Sequence, residues 1–285
     1  MAPSFDHTAQ TVCVMDASAH LGFALVHTLL HRGYTVHASF QTQGEDMLKG
    51  ISTDPNKLKI FRSDPFDYQS IMDSLKGCSA LFYSFQPPSD QPDYDEYMAD
   101  VEVRAAHNVL EACAQTETIE KRIVKTMELD LDERHWSDVN FCRKFKLWHA
   151  MSKTMAEKTA WALAMDRGMN MVSINAGLLM SPDLSISNPY LRGAAEMYED
   201  GVFVTVDLPF LVDAHICVYE DVSSYGRYLC FNHIINTQDD ALRLARILTP
   251  DAASSLPQRE ECGKSFIEQR ISNKKLNKLM VDFEA

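Results

Sequence analysis

The chain has 285 residues, 46% hydrophobic and 24% charged, the balance of an ordinary globular protein without internal repeats or low-complexity stretches. Its formal net charge of −13 repels phosphate backbones and anionic lipid, which excludes nucleic acid and membrane surfaces as expected partners. Residues 1–10 lack an apolar signal core, and no apolar run nears the roughly 20 residues needed to span a bilayer.

The predicted elements alternate in type. Thr11–Met15 is a short apolar run suited to a buried parallel strand, and Leu21–Arg32 spaces its apolar residues as a helix that stops at Gly33. Tyr34–Phe40 is the next strand. Lys57–Phe61 reads as a strand, Tyr68–Leu75 as a helix ending at Gly77, and Ala80–Ser84 as a strand. Then come a long helix over Tyr94–Ala114, a strand over Arg122–Thr126, a long helix over Phe145–Met165 and a strand over Met169–Ile174. This alternation predicts an α/β protein with a parallel sheet and helices on both faces. After Leu178 the pattern loosens into Ser-, Pro- and Asp-rich segments, up to a basic helix over Phe266–Met280. No linker is visible. The expectation is a single domain over 1–285, with a nucleotide-binding core over about 8–178 and a smaller substrate lobe over about 179–285. The seven cysteines, Cys13, Cys78, Cys113, Cys142, Cys217, Cys230 and Cys262, are scattered without metal-site spacing. They predict reduced thiols, no metal site and a cytoplasmic setting.

Several stretches, taken in order, resemble one family. They are the opening strand-helix-strand, FRSDPFDY (Phe61 to Tyr68), NVLEACAQ (Asn108 to Gln115), HWSDVNFCRKFKLWHAMSK (His135 to Lys153), AEKTAWALA (Ala156 to Ala164), INAGLL (Ile174 to Leu179) and GRYLCFN (Gly226 to Asn232). Together they resemble the plant cinnamoyl-CoA reductases and dihydroflavonol reductases of the extended short-chain dehydrogenase/reductase type. The finer likeness is to a divergent cinnamoyl-CoA reductase-like branch that carries KLWHA. The resemblance implies a Rossmann-type, doubly wound parallel sheet, NADPH as cofactor, and a Ser-Tyr-Lys catalytic set. It also implies a small phenolic or CoA-thioester ligand and a setting in phenylpropanoid or lignin metabolism.

The residues depart from that pattern in places. The family's T-G-x-x-G-x-x-G reads Met15-Asp16-Ala17-Ser18-Ala19-His20-Leu21-Gly22 here, so only the last glycine remains. Glycines let a pyrophosphate approach the backbone at a helix N-terminus, and a carboxylate at position 16 opposes it. Either Asp16 caps the helix and nothing binds, or the loop admits the cofactor in a shifted pose through Ser18 and the amides of His20 and Leu21. His37 and Gln41 stand where the resemblance places arginines for the 2′-phosphate. Asp64 matches the acceptor of the adenine amine, or else caps the turn before Tyr68.

At the catalytic helix the Tyr-x-x-x-Lys pair becomes His149 and Lys153, four residues apart and so on one face. Imidazole can donate a proton near neutral pH, but it is shorter than a phenol, and a neighbouring ammonium favours its neutral form. The family serine after the fifth strand falls at Thr126-Met127-Glu128, which leaves Thr126 as a substitute hydroxyl. Lys153 is a cofactor-ribose ligand or a structural cation, and Asn175 and Gly177 match the turn beside the nicotinamide. Trp136 and Trp148 are expected to be packing residues. Three functions compete: an NADPH-dependent reductase with impaired catalysis, a non-catalytic binding or regulatory protein on the same fold, and a cofactor-free isomerase or lyase using Glu128 and His149.

Overall fold

The computed structural model describes residues 10–52, 54, 56–85, 87, 94–116, 123–126, 132–250 and 266–283. The first half alternates as its periodicity requires: β1 (Thr11–Met15), α1 (His20–His31), β2 (Thr35–Phe40), α2 (Glu45–Lys49), β3 (Leu58–Arg62), α3 (Tyr68–Leu75) and β4 (Ala80–Tyr83). There follow α4 (Glu96–Gln115), β5 (Ile123–Thr126), α5 (Val139–Lys144), α6 (Trp148–Asp166), β6 (Met171–Ala176) and β7 (Leu178–Met180). The rest of the chain forms α7 (Ala194–Glu199), β8 (Val204–Asp207), α8 (Leu208–Glu220), β9 (Gly226–Cys230), β10 (His233–Ile234), α9 (Gln238–Leu248) and α10 (Lys274–Phe283).

Seven strands form a parallel sheet in the order β3-β2-β1-β4-β5-β6-β9. The order reverses at β1, which pairs with β2 on one side and β4 on the other. That reversal opens a crevice at the carboxyl ends of the strands, the usual ligand position in a doubly wound sheet. β1 is buried on both faces, which is why TVCVM reads as a continuous apolar run. One apolar layer, with Leu25, Leu29, Val212 and Ile216, lies between the sheet and the helices α1 and α8. The other, with Leu81, Met98, Val109 and Ala160, lies between the sheet and α4 and α6. Asp67, Asp95 and Asp138 accept backbone N–H groups at the starts of α3, α4 and α5, caps worth about 1 kcal/mol each.

The expected boundary near residue 178 is crossed. β9 returns to extend the core sheet, α8 packs on α1, and α10 packs on α8 and β9. The remaining later strands form a small separate sheet, β10-β8-β7. The helix expected over Phe145–Met165 starts at Trp148, because Lys146 adopts a left-handed φ of 56° and separates α5 from α6. The helix expected from Phe266 starts at Lys274, and Phe266 instead bridges Thr237. Among the described residues no helix is long and apolar enough to cross a membrane, and no group of three His, Cys, Asp or Glu side chains could hold a metal ion. The six described cysteines are buried.

Candidate active site

A cleft of about 420 Å³ opens at the carboxyl ends of the strands. The loop from β1 to α1 contributes Ser18, Ala19, His20 and Leu21, and the end of β4 contributes Ser84 and Phe85. α6 contributes His149 and Lys153, the β6–β7 turn Ala176 and Gly177, and Tyr94 closes the floor. Ser18, Ala19, His20 and Leu21 of this loop thus share one cleft with His149 and Lys153, and Asp16 lies just before them at the end of β1.

Asp16 occupies a left-handed backbone position, with φ 63°, which glycine adopts without strain and aspartate at a cost smaller than for most side chains. Gly22 has no such latitude: a Cβ there would stand 2.2 Å from the Asp16 carbonyl oxygen. The close packing of α1 on this turn is therefore intact. One Asp16 carboxyl oxygen is buried without a hydrogen-bond partner. Burial pushes the Asp16 carboxyl up to about 7, opposed in part by the Ser18 side chain. Near neutral pH the group is thus divided between its charged and neutral forms. His20 turns outward and meets Asp183 at 3.0 Å across the cleft mouth.

On α6 the four-residue spacing places His149 and Lys153 on one face, but Lys153 is not free. Its Nζ lies 3.0 Å from Oε1 of Glu102, a residue of α4 that is 1% exposed. The other Glu102 oxygen accepts from Tyr94 Oη and, at 2.9 Å, from Ser152 Oγ. The Tyr94 ring stands edge-on to His149 at 5.0 Å between centroids. Burial, and then the Lys153 charge, hold His149 down at about 3, so it is a neutral imidazole at any physiological pH. It can accept a hydrogen bond, or donate one as a neutral N–H, but it is no ammonium-like acid.

The remaining expected residues divide. His37 is not at the phosphate end of the cleft. Its side chain is buried beneath α3, with Nδ1 2.8 Å from the Ser74 carbonyl and 3.2 Å from Cys78 Sγ. Alternation along β2 turns position 37 into the sheet's interior layer, which corrects the assignment of His37 to a 2′-phosphate. Gln41, just past β2, does lie at the strand end, and its carbonyl accepts from Arg62 Nε at 3.2 Å. Arg62 is an exposed cation beside the position where an arginine was sought, supplied by β3 through the register Phe40↔Arg62. Sequence alignment to the second strand alone misses it. Asp64 is exposed and caps its own turn, with Oδ1 accepting from the Phe66 amide at 2.8 Å.

Asn175 is 2% exposed and borders a small void with Tyr190 and Phe231; its neighbours Ala176 and Gly177 line both that void and the cleft. Thr126 ends β5, paired with Ile174, so its backbone reaches the crevice. Met127 and Glu128 lie outside the described residues. Trp136 stacks on the Arg227 guanidinium at 3.9 Å, and Trp148 packs into the α4–α6 core, both as packing residues.

The arrangement fits a dinucleotide in part. The N-terminus of α1, the close packing at Gly22, Ser18 and Arg62 suit phosphate groups. Asp16, by its orphaned oxygen and its added atoms in a left-handed turn, opposes them. A doubly wound sheet with its crevice at the switch point, the α1 N-terminus on one wall and a paired lysine on the other is the architecture of an extended short-chain dehydrogenase/reductase. No family model matches the chain. It is 30% identical to cinnamoyl-CoA reductase 2 of Arabidopsis thaliana, over 76% of this chain and 71% of that protein. It is 28% identical to cinnamoyl-CoA reductase 1 of Petunia hybrida, over 97% and 88% respectively. Among solved structures, yeast methylglyoxal/isovaleraldehyde reductase Gre2 complexed with NADPH superposes with a TM-score of 0.73 at 16% identity, covering 95% of this chain and 93% of that one. The chain belongs to the cinnamoyl-CoA reductase family, as a divergent member.

Proposed function

We propose that the cleft takes a hydroxycinnamoyl-CoA or a related phenolic carbonyl compound together with weakly held NADPH, and that reduction there is slow. The family and the retained cleft support the ligand classes. Bound NADPH would supply a hydride. The protein's share is to bind, orient and protonate, and here it is weakened at two points. The reading of slow turnover is carried by one observation: an imidazole, His149, stands where the resemblance places a phenol, and the Lys153 ammonium on the same helix face is already paired with buried Glu102. A general acid is worth about 10²–10⁴-fold in rate, so this site lacks much of that factor. The same pair favours a second reading, a binding or regulatory protein that keeps the cleft and has lost turnover. In either case the setting implied by the family is phenylpropanoid metabolism in the cytoplasm.

The two readings separate in one set of assays. NADPH binding is followed by protein fluorescence quenching, and turnover by hydroxycinnamoyl-CoA-dependent NADPH oxidation. We expect measurable quenching and slow turnover in the parent, with turnover rising in His149→Tyr, because the phenol reaches farther into the cleft from the same helix face. Recovery stays partial, since loss of one hydroxyl donor costs about 10²–10³-fold. Binding with no turnover in parent or variant assigns the second reading. A parent as fast as ordinary family reductases and unharmed by His149→Ala would overturn the placement of the acid.

A further inference from the structure

We propose that Glu102 is a positioning residue that sets the charge of this site, holding Lys153 in an ion pair and offsetting part of its charge at position 149 and at a cofactor ribose. The inference rests on the reading of the cleft as a dinucleotide and carbonyl site, and its decisive measurement does not require turnover.

Glu102 has no packing reason to be where it is. The buried face of α4 comprises Met98, Ala99, Val101, Ala105, Ala106, Val109, Leu110, Ala112 and Cys113, and Glu102 is its one charged member. A carboxylate in such surroundings is costly unless paired and hydrogen-bonded. Here it is both: Lys153 Nζ on one oxygen at 3.0 Å, and the Tyr94 and Ser152 hydroxyls on the other. The His149 carbonyl, also 2.9 Å from Ser152 Oγ, is the alternative acceptor for that one hydroxyl proton, so the cluster lies against the first turns of α6 on which both site residues ride. Other groups face it from neighbouring elements. Tyr83 on β4 feels the charges of both Glu102 and Asp16, and His149 feels Glu102 and Lys153 in opposite senses.

The consequence is electrostatic. A free ammonium one helical turn from an acid stabilises that acid's anion. An ammonium joined to a carboxylate is a dipole, and its field at the same distance is much smaller. At position 149 the Lys153 charge outweighs the opposing charge of Glu102, so an acid there gains only the difference between the two while Glu102 is ionised.

The test places a phenol at the site by His149→Tyr and follows its ionisation by tyrosinate ultraviolet absorbance, with and without Glu102→Gln, each against the matching chain that keeps His149. The phenol is expected to titrate about one pH unit lower when Glu102 is also replaced, the effect of releasing one nearby opposite charge. In the parent background, Glu102→Gln is expected to tighten NADPH binding several-fold. Should the glutamine variant not fold, Glu102→Met serves, because Tyr94 Oη and Ser152 Oγ are 2.6 Å apart and can satisfy each other. A shifted phenol without NADPH binding supports the role of Glu102 and removes the cofactor reading. An unshifted phenol overturns the proposal, whatever NADPH does.

Discussion

Replacing Asp16 and Ala19 together by glycine is expected to tighten NADPH binding about tenfold or more, the result if each change recovers ~1 kcal/mol. The left-handed turn at Asp16 costs a non-glycine residue about 1–2 kcal/mol, and its buried carboxyl oxygen has no partner. Glycine removes the strain, the charge and the bulk at once. The pH dependence distinguishes charge from bulk. With the Asp16 carboxyl raised to about 7, the parent is expected to bind NADPH more tightly at pH 6 than at pH 8, because acidification neutralises a carboxyl beside the loop that would receive the pyrophosphate. The double variant loses this dependence. Stability follows the same sign. The folded-state value lies above the unfolded one, so the contribution of Asp16 is complete below the unfolded value and lost as pH rises through about 7. The gain in melting temperature on Asp16→Gly is therefore larger at pH 8 than at pH 5. Fluorescence titrations and thermal melts at these pH values check both. Equal NADPH affinity in parent and double variant would show that this loop is not what limits binding.

Glu157→Leu is expected to destabilise the protein by about 3–5 kcal/mol, the usual result of removing one member of a buried ion pair. Glu157 is 1% exposed and Arg227 8%. Arg227 grips the carboxylate with two N–H groups, at 3.0 and 3.1 Å, and Ser173 Oγ donates to the same carboxylate. The remaining guanidinium N–H bonds reach the carbonyls of Glu133 and His135. This cluster joins α6, β6 and β9 to the segment that carries Trp136. Without Glu157 the guanidinium stays buried and uncompensated. Glu157→Leu combined with Arg227→Met should recover most of the loss, since replacing both charges by apolar groups of similar size is often near neutral. Urea unfolding of the two variants measures this. A single variant within about 1 kcal/mol of the parent would show that water reaches Arg227 freely and the pair is not structural.

Local pattern determined a great deal of this protein. The apolar run at Thr11–Met15 and the helical spacing that follows define β1 and α1, because a strand buried on both faces must be apolar throughout and a helix against it must repeat every third or fourth residue. The four-residue spacing of His149 and Lys153 puts them on one helix face whatever else the chain does, and the family was legible from short ordered motifs. Tertiary structure decided the partners. Glu102 lies 51 positions before Lys153 and Arg62 lies 21 after Gln41, and nothing in local spacing couples either pair. Helix packing between α4 and α6 brings the first pair together, and strand register between β2 and β3 the second. His37 went the other way: it is a polar residue at a matching position, yet strand alternation sends it beneath α3. The physical reason is range. Spacing and propensity act over one or two turns of chain, whereas the charge, burial and protonation of a side chain are set by whatever the fold places within a few ångströms of it, and those neighbours come from distant positions in the sequence.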